Sequence, residues 1–563
     1  PAYKISGTAD NKTVGPYLDT LLDNRIAEKL PEGEDTDADR SRRDLYRVHL
    51  IQSDLKKGLE AKGNYDGTVT FHPAKDGGHG EFVVKAGQQY HLNKVKIEPK
   101  EYQAYAAALK IKPGDALDAQ AVLDSEQALL LAISKDHCYF RLNATHIATI
   151  QPARKNGDIV FELDVGRDAH YGPVTFNGTT TIRESYLRKM IPWKEGDCFR
   201  SDQIESFRAA LLESGLFVRA EAILPGEPDE DGMAPVTINL TERAQRTIKA
   251  GFNYYTDEGF GTTFGWEHRN IFGAAEKFNI DLGLSQLKQS LNLDLVKPFF
   301  LRKDQALSFN NSYRHQDTDA YKETALDLGT SLSRKFNRYL SGTTGAKFTL
   351  SRIDDKAGVT DSYGLFSLPQ NLGYDNRDSK LDPHKGWVIS GTVAPFFDML
   401  GNSDPFLKTQ LTASTYLPLA KKSDIVLALR GSVGSIIGPA TSSVPATERF
   451  YAGGGGSVRG YGYQAVGPSK DGKATGGRSL VESSAELRFR ITDTVGGVTF
   501  IDGGSVSDNA APDFDNLAFG AGVGVRYYTA LGPLRFDIGV PLSKTRNEDD
   551  RSYQFYISIG QAF

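Results

Sequence analysis

The chain is poor in sulfur and indole: its 563 residues include 3 Met, 2 Cys and 3 Trp. Two cysteines, Cys138 and Cys198, exclude a scaffold built on disulfides and leave either one bridge or two inert thiols. No run of about 18 apolar residues occurs, which excludes a transmembrane helix. A basic excess is also missing, with 66 Lys and Arg against 71 Asp and Glu, so nucleic acid is not an expected partner. The 10 His are scattered and form no HExxH. The glycine run at 453–456 lacks the Lys-Ser/Thr that a phosphate loop needs. No metal, cofactor or catalytic constellation is therefore expected, and the chain does not read as an enzyme.

Glycine and two aromatics are abundant, with 57 Gly, 30 Phe and 25 Tyr. This composition, with many short alternating segments, suits an exported β-barrel, whose apolar and polar residues average out as hydrophilic. The chain begins at Pro1 without Met and shows no signal peptide, so a processed or trimmed chain is expected.

The pattern changes near residue 244. Before it, strand-like and helix-like segments alternate in a degenerate repeat. "GDALDAQAVLDSEQALLLAISKDHCYF" (Gly114 to Phe140) and "GDCFRSDQIESFRAALLESGLF" (Gly196 to Phe217) each run from Gly-Asp through an amphipathic helix to an aromatic residue. Each is preceded by a strand and a helix and followed by two strands. A weaker copy occupies the start, where only the second helix and a strand are legible and "EGEDTDAD" (Glu32 to Asp39) is an acidic loop. Three tandem modules of about 80 residues are predicted, at 1–87, 88–166 and 167–243, within normal domain size.

After residue 244, strict alternation dominates. In "LAFGAGVGVRYYT", Phe519, Ala521, Val523, Val525 and Tyr527 share one face, opposite Gly520, Gly522, Gly524 and Arg526. In "LRFDIGVPL", Leu534, Phe536, Ile538 and Val540 oppose Arg535, Asp537 and Gly539. A soluble sandwich alternates as well. Charges of both signs on the polar face, and strands of about 9–11 residues or more, favour a tilted membrane crossing around a wet or plugged lumen. About 320 residues at about 20 per strand and connection give about 16 strands for residues 244–563. The C-terminal segment alternates too and ends on Phe563, as outer-membrane barrel substrates do.

One connection stands apart. "RFYAGGGGSVRGYGYQ" (Arg449 to Gln464) lies in a loop from about Ile436 to Arg478 and carries Arg459 among aromatics. An arginine tucked into a barrel requires carboxylates. The next strands offer Glu482 and Glu486, on the face of Arg488, and Asp502, on the face of Phe500. Gly460 would keep the turn at Arg459 uncrowded, and Phe450 and Tyr461 would pack inside. A solvated surface loop is the alternative.

Several motifs then coincide. "SVRGY" (Ser457 to Tyr461) resembles the [VI]-R-G-[FY] signature of the Omp85 superfamily, and "FIDGG" (Phe500 to Gly504) its F-x-D-x-G strand. "GVGVRYYTALGPLRFDIGVPL", "WEHRNIFG" and "DLVKPFF" resemble further segments in the family's order, and the N-terminal modules resemble POTRA domains. The resemblance implies α+β periplasmic modules followed by a 16-stranded antiparallel transmembrane barrel in the outer membrane of a Gram-negative bacterium. It implies that the sixth extracellular loop folds inward and that Arg459 pairs with Asp502, with Glu486 nearby and Val458, Gly460, Tyr461 and Phe500 completing the contact. Three modules resemble the translocation and assembly module (TamA) branch. That branch implies assembly or secretion of autotransporter-like barrels, with unfolded outer-membrane proteins, outer-membrane lipid and an inner-membrane TamB-like protein as partners.

Barrel closure joins a first strand at about Thr247–Thr256 to a last at about Tyr553–Phe563. Gly251 and Phe252 on one side, and Gly560 and Phe563 on the other, mark an expected weak lateral seam, because glycine weakens a strand. A disulfide between Cys138 and Cys198 would fix the angle between the second and third modules; two unrelated thiols are the alternative. A general BamA-like insertase, a lipid-transport component, a passive channel and a periplasm-spanning anchor are the other functions weighed.

Overall fold

The computed structural model describes residues 3–6, 14–27, 37–73, 80–255, 259–356, 358, 360–419, 425–529, 532–543 and 552–559. By packing, the chain divides into two compact units. One comprises residues 1–177, 192–209 and 221–239; the other comprises 178–191, 210–220 and 240–563.

Before the barrel, one pattern occurs three times: strand, two helices, two strands. The second instance runs His91–Glu98, a 3₁₀ segment Lys100–Ala108, helix Ala119–Asp136, then Leu142–Gln151 and Asn156–Val165. Its helix starts where Asp118 accepts hydrogen bonds from the backbone N–H groups of Gln120 (2.8 Å) and Ala121 (3.2 Å), a helix cap. Val122, Ser125, Leu129 and Ile133 recur at helical spacing and form the buried stripe. Each three-stranded sheet places its last strand in the middle, paired in parallel with the first.

The first instance is complete. It opens with strand Tyr3–Ser6 and helix Val14–Ala27, neither of which the sequence pattern revealed. Tyr3–Ser6 is only four residues long and pairs with Gly80–Lys85, so its identity depends on a partner more than 70 residues away. Of the expected acidic loop at Glu32–Asp39, residues 37–39 instead open the helix Asp37–Ala61, and the rest lies outside the described residues.

The barrel strands are Arg246–Tyr255 (β1), Gly259–His268 (β2), Lys277–Ser285 (β3), Lys288–Pro298 (β4), Gln305–Asp317 (β5), Tyr321–Lys335 (β6) and Leu340–Asp355 (β7). Then come Thr360–Ser367 continued by Gln370–Asp375 (β8), Gly386–Asp398 (β9), Phe406–Pro418 (β10) and Ile425–Ile437 (β11). Ser479–Arg490 (β12), Val495–Ser507 (β13), Ala518–Thr529 (β14), Gly532–Pro541 (β15) and Gln554–Ile559 (β16) complete it. The two parts of β8 both pair with β7 and β9, so they count as one interrupted strand. Pro369 sits in the interruption and has no N–H for the ladder. Sixteen antiparallel strands thus form a closed barrel.

Alternation sorts the two faces. On β14, Phe519, Val523, Val525 and Tyr527 are exposed on the outside while Arg526 is fully buried in the lumen. On β15, Phe536, Ile538 and Val540 face out and Arg535 and Asp537 face in.

Candidate functional site

The loop between β11 and β12, Gly438 to Arg478, is the sixth connection at the barrel end opposite the one where the chain enters at β1. It folds into the lumen. Ser457 shapes its tip, accepting from the N–H of Gly453 (3.0 Å) and donating its hydroxyl proton to Glu482. Gly460 adopts φ +100°, a left-handed conformation that suits glycine.

Arg459 is 2% exposed. Its Nε and Nη2 donate to the two carboxylate oxygens of Asp502, at 2.6 and 2.8 Å, and its backbone N–H donates to the same carboxylate at 3.1 Å. Nη1 donates to Glu486 (2.6 Å) and Asp537 (3.1 Å). The guanidinium lies over the Phe500 ring, 3.5 Å from its centroid, so a cation–π contact adds to the ion pairs. Val458 and Tyr461 are fully buried beside it. The Tyr461 hydroxyl meets the Phe519 carbonyl at 2.8 Å, and Gly460 N–H donates to the Tyr556 hydroxyl at 3.1 Å.

The cluster extends beyond the residues named from sequence. Asp537 also accepts from Arg526 and from Arg535 Nε (2.6 Å), and Glu486 accepts from Arg488 Nε (2.8 Å). Ser484 donates to Asp502 (2.5 Å). Four arginines and three carboxylates therefore neutralise one another to within one charge. That balance makes burial tolerable, because an unpaired buried ion is strongly unfavourable. Asp537, Arg526 and Arg535 were legible as lumen-facing by parity but not as members of this cluster. Tyr556, buried on the inward face of the last strand, carried no signal of its own.

Of the expected seam residues, Gly251 and Phe252 lie in β1, where they pair with Thr263 and Thr262 of β2, and Phe252 is exposed. Gly560 and Phe563 lie outside the described residues. The described contact between β1 and β16 is Tyr254 with Ile557 and Tyr255 with Tyr556. Cys138 and Cys198 are disulfide-bonded. Cys138 follows helix Ala119–Asp136 by two residues and Cys198 precedes helix Ser201–Glu213. Among the described residues no group of three or more His, Cys, Asp or Glu is placed to hold a metal ion.

A model of the Omp85 superfamily domain matches residues 270–563, and a POTRA model, described as a surface antigen variable number repeat, matches residues 169–243. The outer membrane protein assembly factor BamA of Neisseria meningitidis serogroup B is 23% identical over 551 residues, covering 85% of this chain and 68% of that protein. BamA of Nitratidesulfovibrio vulgaris is 23% identical over 507 residues, covering 86% of this chain and 63% of that protein. The chain thus spans about two thirds of the length of these relatives. The crystal structure of BamA from Haemophilus ducreyi lacking POTRA domains 1–3 matches in fold with a TM-score of 0.70 at 18% identity, covering 84% of this chain and 100% of that one. The superfamily model spans more than half of the sequence, including every acidic partner of Arg459, and the chain belongs to the Omp85 superfamily.

Proposed function

We propose that the chain is an outer-membrane assembly and translocation factor that helps insert or secrete β-barrel proteins of the autotransporter type through a lateral seam between β1 and β16. It lies in the outer membrane of a Gram-negative bacterium with its N-terminal modules in the periplasm. The relatives named above are assembly factors, and the role is binding and insertion, not catalysis.

One observation carries this reading. β1 and β16 are the first and last barrel strands, registered at Tyr254 with Ile557 and Tyr255 with Tyr556, and unlike every other neighbouring pair in the wall they are not consecutive along the chain. With no connection tying one to the other, the seam is the place where the wall parts most easily. Parting exposes unpaired N–H and C=O groups, which an incoming strand satisfies by adding to the sheet edge. The modules, bounded at 87/88, 166/167 and 243/244, supply edges of the same kind at Thr68–His72, Leu142–Gln151 and Phe217–Ile223. Those edges would receive unfolded outer-membrane proteins. The first module, farthest along the chain from the barrel, would meet an inner-membrane partner of the TamB type, as three modules imply by resemblance to TamA. Outer-membrane lipid would be the seam's other contact.

The test is a cysteine pair at Tyr254 and Ile557, which are registered opposite each other, in a Cys138→Ser/Cys198→Ser background. Oxidation is expected to stop assembly of substrate barrels and reduction to restore it. Full assembly with the seam locked would leave the barrel as an anchor or passive channel.

A further inference from the structure

The stretch that ends in the Arg459 tip begins with another buried arginine. Arg449 is 8% exposed and sits at the root of the inward loop. Its Nη1 stands 2.8 Å from Oδ2 of Asp355, the last residue of β7, and both side chains are nearly inaccessible. Arg449 Nε donates to the Val444 carbonyl (2.9 Å) and Nη1 to the Thr475 carbonyl (3.0 Å), so one side chain joins both legs of the loop to the wall. Apolar packing surrounds the pair. Ala446 and Ala474 of the loop cluster with Tyr321 of β6, Ile353 of β7 and Leu365 of β8, and Tyr451 lies 5.8 Å from the Tyr321 ring. The neighbouring Glu448 pairs with Lys408 of β10 at 3.2 Å.

The two arginines share no ligand. Arg459 takes its carboxylates from β12, β13 and β15; Arg449 takes its own from β7. Between them runs Gly453–Gly456, the part of the loop with the fewest side chains to transmit force.

We propose that Arg449 and Asp355 form a second latch, so that the loop is a strut across the lumen, tied at its root to the β6–β8 wall and at its tip to β12–β15, and that each end can be released without the other. This does not depend on what the barrel transports. It follows from burial and charge: a guanidinium held this far from water keeps its place only while its carboxylate is there. It also assigns Asp355 a positioning role that the motif around Arg459 does not include.

Hydrogen exchange on the full chain in lipid bilayers tests it. The root reporters are the N–H groups of Phe450 and Gly477, which bond each other's carbonyls at 2.8 and 2.9 Å, and of Thr475. The tip reporters are the N–H groups of Arg459 and Gly460. Asp355→Asn and Arg449→Gln should each raise root exchange at least about tenfold while the tip changes less than about twofold, since one partner of a buried pair is lost. Arg459→Gln should do the reverse. Asp355→Asn preserves size and packing, so it decides the matter should Arg449→Gln fail to fold. Loss of protection at both ends together in Asp355→Asn, or an unchanged root in that variant, would overturn the proposal. A failure of substrate assembly with this exchange pattern intact would count against the functional reading alone.

Discussion

The carbonyl oxygen of Arg459 lies 1.9 Å from the point where a β-carbon on Gly520 would stand. The loop tip therefore runs against β14 with no room for one added carbon. The next strand is as close: a β-carbon on Gly539 would lie 2.9 Å from Gly460 N. In each case the obstacle is backbone, which cannot swing aside as a side chain can. Gly520→Ala should lift the tip and destabilise the barrel by about 1–3 kcal/mol, the usual cost of overpacking. The temperature at which the folded barrel loses its compact mobility on electrophoresis should fall accordingly. Gly391→Ala is the control, because its nearest neighbour is the Leu411 side chain at 3.7 Å. Equal behaviour of the two variants would mean that the tip is not seated there.

Arg459 uses the fork of its guanidinium, with two nitrogens on Asp502 and the third on Glu486 and Asp537. A lysine has the charge without the fork. Arg459→Lys should therefore behave more like Arg459→Ala than like the native chain, with a loss on the order of 3–5 kcal/mol for breaking a buried network. Exchanging charges with Asp502 alone should not restore the loop, because Glu486 and Asp537 would still face a carboxylate at position 459. A double-mutant cycle on barrel unfolding measures both effects. A lysine variant as stable as the native chain would show that charge, not geometry, holds the tip.

Much of this site was legible in the sequence because a barrel strand has a period of two. Parity alone puts Asp502 on the side of Phe500 and Glu486 on the side of Arg488, and both pairs face the lumen. What parity does not give is which strands meet the loop. Asp537 and Tyr556 reach the tip from β15 and β16 only because the loop crosses to them. Arg449 lies in the same quoted stretch as Arg459, but its partner Asp355 is almost 100 residues earlier and carries no mark. The opening strand Tyr3–Ser6 was hidden for the same reason: a short segment is defined by a distant partner, not by its own composition.

The second and third modules are joined by more than their chain. Cys138 and Cys198 are bridged, Ala169 N–H donates to the Cys138 carbonyl at 2.7 Å, and the Phe140 and Phe199 rings lie 5.0 Å apart. A bridge across 60 residues restricts the unfolded chain and should stabilise this region by about 2–4 kcal/mol. Reduction, or Cys138→Ser, should speed proteolysis between the two modules while the heat-modifiable barrel is unaffected. Two titratable thiols in denatured, unreduced protein would remove the staple from the native molecule.

The end of the third module is tied through Glu242 to the bend at residues 180–182, just ahead of the helix Glu184–Met190. Its carboxylate accepts from the N–H groups of Thr180 (2.8 Å), Thr181 (3.0 Å) and Ile182 (3.3 Å), and from the Thr181 hydroxyl (2.5 Å). Partial burial pushes the carboxyl upward, but these four donors outweigh it and hold it below the ordinary glutamate range. A lowered native value means that the unfolded chain takes up the proton more readily. The contribution to stability is therefore fully present above the unfolded value of about 4.3, and it fades as pH falls through the lower native value. Glu242→Gln keeps an acceptor oxygen but not the charge. Native chain and variant should thus differ most at neutral pH, with the gap in amide protection at Thr180, Thr181 and Ile182 narrowing on acidification. A gap of constant size across that range would mean that the negative charge of Glu242 does not hold this corner, and that its neutral hydrogen bonds suffice.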